Sequence, residues 1–267
     1  MEGNRLEELR AGRPLLHCLS NFVTANDCAN AALAVGASPV MAWAPEEAEA
    51  VTAAARATVL NTGTPDEDRF AACRTWGLAA ARLGRPLVLD PVGAGADPWR
   101  LARVRALLAD CAPAILRVNA DEARALTGAG GGEQGVDSAP VSRDEQVSLA
   151  RTLSERTGAA VLLSGREDVA WRGGRGFAVS GGSVWMTRVT GTGCMLSVLC
   201  GAFAAVEPDA LEAAALAAVF WKLCARTAES ASGGRGSGSF RAALLDAAST
   251  LCGAELSAAA ASCLTSL

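Results

Sequence analysis

The 267-residue sequence predicts an α/β fold in which helices flank a mostly parallel sheet. Six short apolar runs recur along the chain, and each ends in a small or polar residue, a pattern typical of fully buried parallel strands. Segments rich in Ala, Leu and Arg, with helical spacing, lie between these runs. Because 51% of the residues are hydrophobic, one large core can form, and we interpret residues 1–267 as a single domain.

The predicted strands alternate with predicted helices. The strands are "PLLHCLSN" to Asn21, "SPVMA" to Ala42, "TVLNTG" to Gly63, "PLVLD" to Asp90, "AILRVN" to Asn119 and "AAVLLSG" to Gly165. The helices between them span residues 24–35, 45–56, 66–83, 99–110, 120–127 and 143–157. This alternation is that of repeated βαβ units, which form a sandwich of helices around a sheet.

The last third of the chain has a different character. Glycine pairs at 173–174 and 181–182 separate "VAWR", "GFAVS" and "SVWMTRV", which predicts a small antiparallel extension over Val169–Val189. Further helices are predicted over residues 194–205, 209–231 and 239–251. The stretch "SGGRGSGS" interrupts them and could be a flexible linker or an ordered loop near a ligand, and its composition favours the linker.

Composition excludes several classes of protein. The net charge of −4 and the absence of a Lys/Arg cluster argue against a nucleic-acid surface. No apolar run reaches the roughly 18 residues of a membrane span, and the charged start "MEGNRLEELR" lacks the apolar centre of a signal peptide, so we expect a cytoplasmic protein. Nine cysteines without a CxxC pair predict buried thiols and no disulfide framework. The only lysine, Lys222, does not follow a glycine, which excludes a P-loop.

The single histidine, His17, excludes further chemistry. A zinc site of the HExxH kind is impossible, and any Ser-His-Asp or Cys-His arrangement has to use this residue. His17 lies within a predicted strand, and we interpret it as a hydrogen-bonded residue of the core or of the surroundings of a site.

Polar residues stand at the carboxyl ends of the predicted strands, where sites of parallel sheets form. They are Asn21, Asn61, Asp90, Asn119, Ser164 and the Gly-Thr-Gly-Cys loop that ends at Cys194. This set predicts the binding of a small molecule and a phosphate.

The segment "VTGTGCMLSVL" is the first candidate for chemistry. Gly191 and Gly193 around Thr192 let successive N–H groups turn towards one point, and the following helix adds its positive end, so an anion would be stabilised there. The same field lowers the pKa of a cysteine in the first turn, and Cys194 could then accept a proton from an alcohol. The alternative is an ordinary glycine-rich turn followed by a buried cysteine.

Two acidic residues are candidates for holding Mg²⁺. Asp90 ends a strand in "LDPVGAGADPW" and could hold the ion through water, or it could be a turn or capping residue. Glu122 in "RVNADEARAL" could help to position the ion, with Arg117 reaching phosphate, or it could form a capping box with Asn119. A GxGxxG match at 130–135 follows a helix instead of a strand, so it is no dinucleotide fingerprint.

Seven segments fall in an order that resembles a known family. They are "HCLSN", "AVGASPVMA", "NTGT", "LDPVGAGA", "RVNADEARAL", "GVDS" and "RVTGTGCMLS". Over about residues 14–250 the chain resembles hydroxyethylthiazole kinase, a thiamine-salvage enzyme with the ribokinase-like three-layer sandwich fold. The resemblance implies phosphorylation of the primary alcohol of 4-methyl-5-(2-hydroxyethyl)thiazole by ATP with Mg²⁺, in a homotrimer whose pockets lie between subunits.

The resemblance also implies roles for individual residues. Cys194 would be the catalytic base, Gly191, Thr192 and Gly193 the anion hole, Arg117 and Ser164 the ATP contacts, Asp90 and Glu122 the magnesium site, and Asn21, Met41, Gly63 and Gly191 the thiazole pocket. Ser164 stands where the family more often has threonine and keeps the hydroxyl. Val118 replaces a common glycine and adds bulk near the phosphate side.

Three alternatives remain open at this stage. One is another small-alcohol kinase of the same fold, such as a hydroxymethylpyrimidine kinase. The second is a nucleotide-binding relative without catalysis. The third is a thiol hydrolase with Cys194 as nucleophile, which would need His17 as its activating base.

Overall fold

A nine-stranded sheet forms the centre of the computed structural model, which describes residues 4–129 and 141–267. The strand order is β2-β1-β3-β4-β5-β6-β7-β8-β9, and the first six strands in this order are parallel. These are β1 (Leu15–Leu19), β2 (Ser38–Val40), β3 (Ala57–Asn61), β4 (Leu87–Asp90), β5 (Ile115–Val118) and β6 (Ala160–Leu163). Three antiparallel strands complete the sheet, namely β7 (Asp168–Arg172), β8 (Arg175–Val179) and β9 (Leu264–Ser266).

Helices cover both faces of the sheet, so the fold has three layers. One face carries α1 (Asn4–Gly12), α2 (Ala25–Val35), α8 (Thr192–Ala204), α9 (Ala210–Ser232), α10 (Ser237–Thr250) and α11 (Gly253–Cys263). The other face carries α3 (Ala48–Ala54), α4 (Glu67–Arg82), α5 (Pro98–Cys111), α6 (Ala120–Thr127) and α7 (Arg143–Thr157). Polar N-caps begin several of these helices; for example, Asp66 Oδ1 accepts from Arg69 N at 2.7 Å.

Alternation along the strands divides the core in two. Val59 and Val88 pack towards α8 and α9, whereas Leu60 and Leu89 pack towards α4 and α5. The next residues, Asn61 and Asp90, therefore face α8. Helix α8 also sits unusually close to the sheet, because a Cβ on Gly201 would lie 2.5 Å from Val59 Cγ2. The polar ends of the strands and the N-terminus of α8 are thus brought to one place.

All six predicted strands and all the predicted helices are confirmed, with ends that shift by at most three residues. The prediction that "SVWMTRV" belongs to the antiparallel extension is wrong, because residues 184–188 form a 3₁₀ helix. The third antiparallel strand is instead β9, from the C-terminal end, where a three-residue strand has no periodic signal to detect. The linker prediction is also wrong, because residues 233–236 make a short turn and α10 begins at Ser237.

The structure of the described residues also tests the expectations about disulfides and membrane-spanning segments. All nine cysteines are free. No helix in the described ranges combines the length and the apolar character that crossing a bilayer requires. The GxGxxG match and the "GVDS" segment lie outside the described residues.

His17 is a buried core residue, as predicted. Its Nε2 lies 3.1 Å from Ala42 O and its ring stacks on Trp76 at 3.6 Å between centroids. Burial lowers the pKa of His17 to about 4, and the bond to Ala42 opposes this only in part. Because His17 has no contact with Cys194, the hydrolase alternative lacks its base.

The single histidine makes this pKa directly measurable. We expect the one imidazole ¹H NMR signal to titrate with a midpoint of about 4 in the folded protein and near 6.5 after unfolding in urea. The unfolded chain then binds the extra proton between these values, so this residue lowers stability as pH falls from 6.5 to about 4 and has no effect above 6.5. A folded-state midpoint near 6.5 would contradict the burial argument.

Candidate active site

The carboxyl ends of β1, β3 and β4 are joined by a chain of side-chain hydrogen bonds. Asn21 Nδ2 donates to Asn61 Oδ1 at 3.0 Å, and Asn61 Nδ2 donates to Asp90 Oδ2 at 3.0 Å. Ser197 of α8 donates to the same Asp90 oxygen at 2.7 Å. The amide orientation of Asn61 is set by Gly63 N, which donates to Asn61 Oδ1 at 2.9 Å. The network therefore ties three strand ends to one helix.

Cys194 lies at the centre of this network. Its Sγ accepts from Asn61 Nδ2 at 3.2 Å and from Asn21 Nδ2 at 3.5 Å, and the residue is 8% exposed. Burial raises the pKa of the Cys194 thiol, and the Asp90 carboxylate raises it further, against opposing hydrogen bonds and the charge of Arg117. The expectation of a lowered pKa is therefore wrong, because loss of water and a nearby negative charge outweigh the helix terminus.

The Gly-Thr-Gly segment begins α8. Gly191 has φ +83° and caps the helix, and the helical ladder starts where Met195 N donates to Gly191 O at 2.8 Å. The N–H groups of residues 192–194 precede this ladder and point out of the helix end. Two hydrogen bonds hold Thr192 in place. Its hydroxyl donates to Met186 O at 3.2 Å, and Trp221 Nε1 donates to the carbonyl oxygen of Thr192 at 3.0 Å. The segment is thus shaped to receive an anion.

Arg117 connects the strand ends to this segment. Its Nη2 donates to Ser164 Oγ at 2.5 Å, and its Nη1 lies 3.6 Å from Asp90 Oδ1. The guanidinium packs so closely on Gly193 that a Cβ there would lie 2.6 to 2.8 Å from three of its atoms. Burial by itself lowers the pKa of Arg117, but the carboxylates of Asp90 and Glu122 raise it overall. A buried, charged guanidinium therefore lies beside the Gly-Thr-Gly turn.

Glu122 forms the capping box with Asn119 that the sequence predicts. Glu122 Oε2 accepts from Asn119 N at 2.8 Å, and Asn119 Oδ1 accepts from Glu122 N at 2.8 Å. Its other oxygen, Oε1, accepts from Gly93 N at 3.0 Å and so also holds the "PVGAGA" loop. The neighbouring Val118 packs into the core on the opposite face from α8, and it does not crowd Arg117.

The predicted pocket residues include Asn21, which donates to the Cys194 thiol. Asn21 and Gly63 are in close contact, because a Cβ on Gly63 would lie 2.9 Å from the Asn21 side chain. A Cβ on Gly191 would lie 2.7 Å from Thr24 Cγ2. Met41 follows β2 at the edge of the sheet, half-buried, one strand away from Asn21.

Sequence reasoning missed three contributors. Asn61 stood among the strand-end residues but received no role, and Ser197 received no mention. Lys222 served only to exclude a P-loop, yet its Nζ lies 3.3 Å from Asp168 Oδ1 and donates to Gly165 O and Arg166 O at 3.2 and 3.0 Å. It fixes the turn after Ser164, and a lone lysine in an apolar helix offered no signal of this.

Solved structures identify the class of this fold. A pyridoxal kinase from Staphylococcus aureus, in complex with AMP-PCP, superposes with a TM-score of 0.61 at 14% identity, over 79% of this chain and 87% of that chain. At this identity the likeness concerns the fold, which is that of the ribokinase-like kinases. The Gly-Thr-Gly turn, the buried Arg117 and the strand-end carboxylate of Asp90 described above lie within that fold.

The family follows from closer relatives. The model of the hydroxyethylthiazole kinase family matches residues 6–254. The hydroxyethylthiazole kinase of Methanoculleus marisnigri is 44% identical over 241 residues, which are 90% of this chain and 85% of that protein. A structure described as hydroxyethylthiazole kinase protein from Pyrococcus horikoshii OT3 has a TM-score of 0.87 at 35% identity, over 99% of this chain and 97% of that chain. This chain belongs to the hydroxyethylthiazole kinase family and is a kinase.

Proposed function

We propose that this chain transfers the γ-phosphoryl group of ATP to the primary hydroxyl of 4-methyl-5-(2-hydroxyethyl)thiazole, a step of thiamine salvage. The observation that carries the proposal is the first turn of α8. There Asn61 donates a hydrogen bond to the Cys194 thiol. The preceding residue, Gly193, packs against the Arg117 guanidinium. A proton acceptor and a phosphate-binding group therefore lie one residue apart. Family membership supports the choice of alcohol.

Each predicted site residue has a role in this proposal. Cys194 accepts the proton of the substrate hydroxyl, and the anion hole formed by Gly191, Thr192 and Gly193 stabilises the charge of the phosphoryl group in transfer. Arg117 and Ser164 hold the ATP phosphates. Asn21, Met41, Gly63 and Gly191 line the alcohol pocket. Because phosphoryl transfer depends on positioning and charge stabilisation, a base with a raised pKa is sufficient.

The side chains at the strand ends fit a magnesium ion. Asp90 Oδ1 is buried and has no hydrogen-bond partner within the described ranges. Burial raises the pKa of Asp90. Burial also raises the pKa of Glu122 to about 7; the charge of Arg117 opposes this rise and the carboxylate of Asp90 adds to it. A cation would relieve this unfavourable burial of negative charge. Asp90 and Glu122 would therefore hold Mg²⁺, largely through water, and the bound ion would neutralise phosphate oxygens.

The proposal also includes the cellular location and the oligomeric state. We place the enzyme in the cytoplasm, where ATP is available, and we propose a homotrimer with pockets between subunits. Phe22 and Val23, directly after Asn21, are 70% and 62% exposed, and apolar surface of this kind beside a pocket supports its coverage by a neighbouring subunit.

The test is ATP consumption with Mg²⁺ and hydroxyethylthiazole, beside hydroxymethylpyrimidine and a control without alcohol, with the product mass recorded. We expect thiazole-dependent ADP release and a product heavier by one phosphoryl group. Reaction of the pyrimidine alone would contradict the assigned substrate, and ATP binding without turnover of either alcohol would contradict catalysis.

A further inference from the structure

We propose that Arg69 is a positioning residue that fixes the shape of the alcohol pocket for a flat heteroaromatic ring. This inference rests on the proposed function. No sequence motif pointed to Arg69, which lies in the first turn of α4 and is only 4% exposed.

The first observation is that Arg69 contacts all three segments that carry the strand-end residues of the pocket. Its Nη2 donates to Ser20 O, directly before Asn21. Its guanidinium carbon lies 3.9 Å from the ring centroid of Trp43, two residues after Met41. Its own N–H donates to Asp66, three residues after Gly63. The side chain therefore links the segments of Ser20 and Trp43, which are separate in sequence, and the backbone of the same residue adds the bond to Asp66.

The second observation is an aromatic cluster formed by Phe22, Trp43 and Arg69. The two rings stack with centroids 4.8 Å apart and an angle of 11° between their planes, and the guanidinium lies 5.2 Å from the Phe22 ring. Such contacts between a cation and ring faces are favourable and depend on geometry. Because Phe22 and Trp43 flank Asn21 and Met41 in sequence, the orientation of both rings is coupled to the pocket.

The third observation is that this arrangement leaves hydrogen-bonding capacity unused. Arg69 Nε and Nη1 are buried and have no hydrogen-bond partner among the described residues, and Nη2 bonds a carbonyl oxygen. Burial lowers the pKa of Arg69 accordingly. A buried guanidinium without a bonded carboxylate is unfavourable for folding by itself. The role that explains its position is therefore the orientation of the pocket segments.

The pocket segments are also held from other directions, which makes a local effect measurable. Phe22 N donates to Thr64 Oγ1 at 3.3 Å, and Ala42 O is bonded by His17. Loss of the Arg69 contacts should therefore loosen the rings without unfolding the segments or moving Arg117.

The experiment compares Arg69→Met and Arg69→Lys with the control Arg74→Met, which removes an exposed arginine from the same helix. We expect Arg69→Met to raise KM for hydroxyethylthiazole about tenfold, with KM for ATP and kcat within about threefold of the parent values, since one cation–π cluster is lost. Arg69→Lys should recover part of the loss because it keeps the charge, and Arg74→Met should match the parent.

Several outcomes would overturn the proposal. These are an unchanged thiazole KM in Arg69→Met, or equal increases in KM for thiazole and for ATP. If Arg69→Met does not fold, Trp43→Phe and Trp43→Leu are compared instead. Only the leucine variant should then raise KM for hydroxyethylthiazole. An inactive parent protein would instead refute the proposed function, so the two failures are distinct.

Discussion

Cys194→Ala is expected to lower kcat by about 10²- to 10⁴-fold, the usual contribution of a general base, while ATP binding stays nearly intact. The hydrogen-bond partners of the thiol are Asn21, Asn61 and Thr24, whereas Arg117 and Ser164 hold each other independently of it. Removing it should therefore leave the phosphate side in place. The measurement is turnover together with ATP affinity by calorimetry.

The control for this variant is Cys200→Ala, which makes the same chemical change in the same helix at a fully buried core position. It should retain kcat. Equal turnover in Cys194→Ala and in the parent would exclude Cys194 as the base.

A second readout uses the pKa of the Cys194 thiol. Burial and Asp90 raise it above that of an ordinary thiol, so the deprotonated fraction grows only as the pH rises above neutrality. Turnover of the parent should rise in that direction. Cys194→Asp should retain activity and shift this rise to lower pH, because the ordinary pKa of a carboxyl group is about 4 units below that of a thiol. A flat profile in the parent would contradict a base of raised pKa.

Gly193→Ala is expected to reduce kcat/KM for ATP by about 10²-fold, because the new methyl group displaces Arg117 and small errors in positioning are costly in catalysis. The methyl carbon would lie 2.6 to 2.8 Å from the guanidinium, which must move away from Ser164 and Asp90. The guanidinium is the mobile end of a long side chain, so the fold should survive. The measurement is steady-state kinetics with ATP varied, alongside thermal unfolding.

Gly238→Ala is the matched control for this prediction. Gly238 lies in α10, and a Cβ there would meet nothing within 4 Å. This variant should keep full activity and gain up to about 1 kcal/mol of stability from improved helix propensity. If Gly193→Ala were as active as Gly238→Ala, the close approach of Arg117 to Gly193 would have no catalytic role.

Sequence reasoning could group the candidate site residues because their signals are local. Apolar runs and their polar last residues depend on neighbouring positions, and so do the glycines before Cys194. Strand-end residues of a parallel sheet meet at one edge, so Asn21, Asp90 and Ser164 could be grouped without coordinates. The motif order also identified the family, which the comparisons confirm.

The tertiary structure decided the properties that depend on distant segments. The strand order places β1, β3 and β4 side by side, and only this order lets Asn61 bridge Asp90 and Cys194. The sign of the Cys194 pKa shift follows from burial and a neighbouring carboxylate, neither of which is visible in the motif.

The short edge strand β9 and the 3₁₀ helix at 184–188 likewise carry no periodic pattern of their own. Arg69 is a further case, because its partner Ser20 lies 49 positions away in sequence. Local propensity and periodicity therefore determined the elements and the motif, whereas non-local packing determined the charges, the partners and the shape of the pocket.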